Sequence, residues 1–155
     1  MAKWQNRWEN SSTGRTFYEF VPSVHYKRQL DSQDKTSYKA ILQLRTGYSI
    51  LNAHRHKIGI NVSPLCACGI LETTDHFLLD CPIHESHREA LLTSLQRLCG
   101  ISTLDKQTLL GTEDHPHIYG WRDMIQAELA TYIQATDRFA AKTPDCDRSR
   151  SDIHN

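Results

Sequence analysis

Four side chains that bind soft metals fall within sixteen residues: Cys66, Cys68, His76 and Cys81, in the pattern C-x-C-x7-H-x4-C. Three thiolates and one imidazole form the donor set of a closed, tetrahedral structural site, so the pattern predicts one Zn2+ held by these four residues. The neighbouring residues suit the turns such a site needs. Gly69 lets the backbone reverse so that its amide turns toward sulfur. Thr73 or Thr74 can cap a short helix presenting His76. Pro82 biases Cys81 away from helical geometry, which matters because an unbroken helix would point His76 and Cys81 well apart. The alternatives are inert core thiols and redox chemistry. C-x-C is tighter than the usual C-x2-C, so Cys66 and Cys68, separated only by Ala67, form the most constrained ligand pair. Cys99 and Cys146 lie outside the cluster and read as structural or incidental.

With 155 residues, 39% apolar and 23% charged, the chain can bury a real core and falls outside the disordered range. No stretch approaches the ~20 apolar residues of a membrane span, and the N-terminal residues lack a secretory apolar region. An intracellular location, nuclear or cytoplasmic, where thiols stay reduced, is therefore expected. The formal charge is zero, but residues 1–65 hold ten Lys/Arg against four Asp/Glu, and residues 66–155 hold eight against fourteen. Such a split can present a basic face to a polyanion. It can equally reflect two halves attracting one another.

The expected fold class is mainly α, a small helical domain organised around the one C-x-C-x7-H-x4-C site. Trp4 and Trp8 share a face of a short N-terminal helix. Residues 16–24, aromatic and β-branched but interrupted by Pro22, read as an extended edge or loop. Asp34 or Thr36 can cap a helix whose stripe is Ile41, Leu44, Tyr48 and Leu51, with Gly47 dividing it into two helices of about three turns each. A helix from Glu85 to Leu98 carries Leu91, Leu95 and Leu98 and ends at Cys99-Gly100. A loop through Leu109-Leu110-Gly111 leads to a final helix with Ile118, Trp121, Ile125, Leu129, Tyr132 and Ile133 on one face. The expected organisation is a helix and extended linker over 1–33, a helical zinc-binding domain over 34–142 and a disordered tail over 143–155.

Several blocks together resemble the C-terminal region of reverse transcriptases from LINE-type, non-LTR retrotransposons of the Jockey-like group abundant in fungi. Trp4-Gln5-x-x-Trp8 with Ser12-Thr13-Gly14-Arg15 is similar to the segment after the RNase H domain. Gln43-Leu44-Arg45-Thr46-Gly47-Tyr48 with Leu51-Asn52-x-His54 resembles a block in which Tyr48 stands where histidine is usual. Residues 63–82 resemble the zinc-binding segment, and Tyr132-Ile133-x-Ala135-Thr136-x-Arg138-Phe139 the closing motif. The resemblance implies that Cys66, Cys68, His76 and Cys81 are the zinc ligands and that polymerase and RNase H catalysis reside upstream. It implies a region that helps hold template or target.

The expected function is accordingly a noncatalytic, zinc-fixed module that binds RNA or single-stranded DNA. Lys39, Arg45, Arg55 and Lys57 would hold phosphates, with Tyr48 and His54 as planar neighbours. The bland alternative for these residues is a solvated helix face. No Asp-Asp pair occurs, Glu113-Asp114 has no evident partner, and His84 and His87 beside Glu85 fit surface histidines better than catalytic ones. Not an enzyme is therefore the expectation. The competing readings are a protein-interaction scaffold, with the reverse transcriptase and RNase H domains of the parent element as partners, and a remnant without selected function.

Overall fold

The computed structural model describes residues 2–25, 35–112 and 120–140. These residues are mainly helical: α1 (Ala2–Glu9), α2 (Arg15–Phe20), α3 (Lys35–Thr46), α4 (Asn52–Lys57), α5 (Glu85–Cys99), α6 (Lys106–Leu110) and α7 (Arg122–Ala135). Between α4 and α5 run a loop, a one-turn π-helix (His76–Asp80) and a 3-10 turn (Pro82–His84). Pairing of Leu65 with Leu71 is a single antiparallel bridge, and there is no named strand among the described residues. No helix among them is long and apolar enough to cross a membrane. Asp34, Ile118, Glu113-Asp114, Cys146 and the expected tail lie outside the described residues.

The core forms where apolar stripes meet. α5 packs most extensively on α7, and α3 also lies against α7. Leu91 and Leu95 of α5, Ile125, Leu129 and Ile133 of α7, and Ile41 and Leu44 of α3 are all buried in one cluster. Fully burying each such side chain is worth about 1.5–3 kcal/mol. Gly47 (φ 74°) ends α3, a left-handed turn that a side chain would resist, so the chain divides there as its sequence suggests. The second piece, α4, is only six residues, shorter than expected. Past that turn Tyr48 leaves the stripe and is 74% exposed, while Leu51 returns to the core.

Two segments depart from the sequence reading. Residues 16–20 are helical rather than extended. Arg15 donates to the carbonyls of Glu9 and Ser11 at the end of α1 and lies 3.9 Å over the Tyr18 ring, and Trp8 packs edge-on against Phe17 and Tyr18. Tertiary packing thus overrides β propensity until Pro22 forces Val21 out of helical geometry. Residues 106–110 are helical rather than looped, because the Asp105 carboxylate accepts from the Thr108 backbone N–H at 2.8 Å and caps the turn.

Candidate metal centre

The loop after α4 brings the four predicted ligands together. Cys66 Sγ lies 3.7 Å from Cys81 Sγ, and Cys68 Sγ lies 3.2 Å from His76 Nε2. All four donor atoms fall within 4.8 Å of one another, so the group could hold a metal ion. A tetrahedral ion at about 2.3 Å from sulfur and 2.0–2.1 Å from nitrogen implies donor separations of roughly 3.8 and 3.6 Å. The sulfur pair meets this, and the sulfur–nitrogen pair is slightly closer. His76 Nε2 is the nitrogen turned to the thiols, whereas Nδ1 is buried without a hydrogen-bond partner among the described residues. The tight Cys66-Ala67-Cys68 turn is accommodated at Gly69 (φ 86°), which only a residue without Cβ adopts readily.

The Gly69 amide does not turn to sulfur, however. It donates to the Cys66 carbonyl at 2.9 Å, closing the turn. Instead the Cys68 amide serves the Cys66 thiol and the Ile70 amide serves the Cys68 thiol. Burial pushes the Cys66 thiol up to about 11, with the neighbouring thiols adding to it. At Cys68 burial also acts upward, but the Ile70 amide and the other thiols outweigh it, and that thiol falls below its ordinary value. A divalent cation held among these groups would favour the thiolate form of each cysteine.

His76 and Cys81 come together through the π-turn. Thr73 Oγ1 accepts from the His76 amide at 3.1 Å and starts the turn, and the Cys81 amide donates to the His76 carbonyl at 2.7 Å. This i→i+5 bond is wider than an α turn and brings positions five apart toward one face. Cys81, just before Pro82, is extended (φ −63°, ψ 118°), as the proline requires. Arg88 on α5 then donates through both Nη atoms to the Cys81 carbonyl at 3.1 Å.

The residues that fix this loop to the helices were missed in the sequence. Glu72, 3% exposed, accepts from Arg138 Nε and Nη2, both at 2.7 Å, and from the Asn52 amide at 2.6 Å. Burial pushes the Glu72 carboxyl up, but Arg138 and the Asn52 amide outweigh it and hold it below its ordinary value. Arg138 also donates to the Ile50 carbonyl at 3.1 Å. From α7, the Tyr132 hydroxyl donates to the Phe77 carbonyl at 2.6 Å, and burial pushes this phenol up to about 12, keeping it a donor. Phe139 meets Phe77 edge-on with ring centres 5.4 Å apart. Asn52, Glu72, Tyr132, Arg138 and Phe139 all fall within the blocks that carry the resemblance, but nothing in the sequence pairs Arg138 with Glu72, 66 residues away.

The six residues expected to contact nucleic acid do not form one cluster. Lys39 and Arg55 line a groove of about 890 Å³ that also touches Lys35, Arg138, Cys66 and Ala67. His54 and Lys57 line a smaller cavity of about 260 Å³, and exposed Tyr48 meets the His54 ring edge-on at 5.0 Å. Arg45 departs from the expectation. It is 1% exposed, and its Nε donates to the Leu110 carbonyl at 2.7 Å. It holds the end of α6 to α3, because burial on that face of α3 leaves its guanidinium no route to solvent. His84 is buried, not a surface histidine, and its ring packs on Phe77 at 5.4 Å. Burial pushes it below its ordinary value. Cys99 is half-buried and free, away from the cluster.

Fold and centre thus define a helical protein with a Cys3His cluster able to hold a metal ion. Over 88 residues the chain is 35% identical to a Retrovirus-related Pol polyprotein from the type-1 retrotransposable element R1 of Bradysia coprophila, a match spanning 56% of this chain and 8% of that protein. Two R1 Pol polyproteins of Nasonia vitripennis are 35% identical over 86 residues and 31% over 90, covering 55% and 57% of this chain and 20% and 23% of theirs. The relatives support a non-LTR retrotransposon origin, and the chain spans less than a quarter of the length of each of these curated relatives. No family model matches, and no solved structure matches.

Proposed function

We propose that this chain is a noncatalytic, zinc-fixed module that binds RNA or single-stranded DNA, from the C-terminal region of a Jockey-like reverse transcriptase. The observation that carries the reading is the groove beside the metal centre. Lys35, Lys39, Arg55 and Arg138 line it against two carboxylates, Glu72 and Asp137. Glu72 is already neutralised by Arg138. Arg55 Nε, buried in the wall of the groove, makes no hydrogen bond among the described residues, which leaves an unsatisfied donor beside the cations that line it. Zinc suits the donor set, and Cys66, Cys68, His76 and Cys81 would hold it as a closed structural site, with no open position for chemistry. Three thiolates and one divalent cation leave the centre formally negative, and the groove cations offset that charge. The need for reduced thiols favours an intracellular compartment.

The test is binding of labelled single-stranded oligonucleotides across a salt series. Affinity should fall linearly on a log–log plot with a slope of about −0.7 per phosphate contacted. Lys39→Ala with Arg55→Ala should weaken binding and flatten that slope, whereas Arg45→Ala should act on folding. Affinity indifferent to salt and to both groove substitutions would sink the reading. A second reading, a protein interface for the reverse transcriptase or RNase H part of the parent element, is favoured by α1, which buries no residue and leaves Trp4 65% exposed.

A further inference from the structure

Among the described residues, six of the eleven large apolar side chains left exposed fall between Ile58 and Leu71: Ile58, Ile60, Val62, Leu65, Ile70 and Leu71, with Val62 at 98%. They occupy two loops laced together by polar bonds. The Ile60 amide donates to the Arg55 carbonyl at 2.8 Å, Asn61 Nδ2 to Asn52 Oδ1 at 2.6 Å, and Asn52 Nδ2 to the Leu65 carbonyl at 2.7 Å. Leu65 pairs with Leu71 across the metal loop, and the Cys66 amide donates to the Ile70 carbonyl at 2.7 Å. The loops are therefore held open, with these side chains in water.

The surrounding charge says what can cover them. From Lys35 to Leu71 the sequence contains no Asp or Glu, while Lys35, Lys39, Arg55 and Lys57 leave their charges outside the core. Large apolar groups on a carboxylate-free stretch of chain, beside a groove where Lys35, Lys39, Arg55 and Arg138 outnumber Glu72 and Asp137, suit a ligand that is itself apolar in its faces and anionic along its backbone. An unpaired nucleic-acid strand has that character, and a duplex hides its base faces. We propose that the rim formed by residues 58–71 is a docking platform for unpaired bases of the strand whose phosphates lie in the groove, so that the protein selects single strands. This rests on the nucleic-acid reading above.

The experiment uses the full, metal-loaded chain and three labelled probes of equal length: a mixed-sequence single strand, an abasic strand with the same phosphates, and a hairpin duplex. The single strand should bind about tenfold more tightly than the other two, because only it offers base faces that remove the aliphatic rim from water. Val62→Ser with Ile70→Ser, both at exposed positions, should erase that preference while leaving metal content and salt slope unchanged. Lys39→Ala should flatten the slope and keep the preference. Equal binding of abasic and normal strands overturns the platform but leaves the groove reading intact. Absence of binding to any probe overturns both. Self-association of the wild type that the double substitution abolishes, with base preference untouched, assigns the rim to a second copy of the chain and also overturns the proposal.

Discussion

The helical core and the metal loop are held by different forces. In the core, Leu95, Ile125 and Leu129 are fully buried and the helices stand mainly by apolar contact, with a few polar bonds such as Arg45 to the Leu110 carbonyl between them. In the segment from Asn52 to Cys81, few side chains are buried before Glu72, and order comes from the Asn52 lacing, the Glu72–Arg138 pair and the cluster of four groups that could hold a metal ion. A segment fixed by polar bonds, and by coordination once its cluster holds a metal ion, does not need its apolar residues inside. It can leave Val62 and Ile70 on the surface, and the core cannot do the same with Leu129. The two regions meet at Phe77, which lies in the core yet follows the ligand His76 directly.

The largest effect should separate the regions. Purified protein should carry about one zinc per chain. Chelation or Cys81→Ser should cost much of the stability, on the order of 10 kcal/mol of metal-linked free energy. A protein that melts identically with and without chelator breaks the comparison. Next, Leu129→Ala should cost about 3 kcal/mol by leaving a cavity, read from denaturant midpoints, with the metal-to-protein ratio unchanged. A loss of metal there would show that core and loop are one unit.

Smaller still, Glu72→Gln should cost about 2 kcal/mol, because it leaves the Arg138 guanidinium without its charge partner. The sign of its pH dependence is fixed by the lowered folded-state value of Glu72. Its contribution is fully present above the unfolded value near 4.5 and is lost as pH falls through the folded value. The gap between wild type and Glu72→Gln should therefore close on acidification below that point. A gap that widens instead would refute the pairing. Smallest of all, Val62→Ser should shift stability by no more than about 0.5 kcal/mol, since the side chain touches almost nothing.

Much of the helical framework was legible in the chain. The stripes of α5 and α7 are apolar at helical spacing, and Gly47 and Gly100 mark ends that the backbone confirms with positive φ. The segments misread, residues 16–20 and 106–110, are short, and there a cap or a tertiary contact outweighs periodicity. Arg45 was misassigned for a related reason. Sequence shows a cation on a helix but not which side of that helix faces α6.

By itself, then, the sequence determined the candidate ligand set, which the fold brings together. Thiolates and imidazole at C-x-C-x7-H-x4-C, with Gly69 and Pro82 at the turns, are local chemistry and local backbone preference, and both act over a few residues. What only the tertiary structure decided is how that loop is seated. The approach of Cys81 to Cys66, the bond from buried Arg45 to Leu110, and the clamp of Glu72 by Arg138 and of Phe77 by Tyr132 all join groups distant along the chain. Such partners follow from packing, where the surrounding helices fix which polar groups lose water and must find each other.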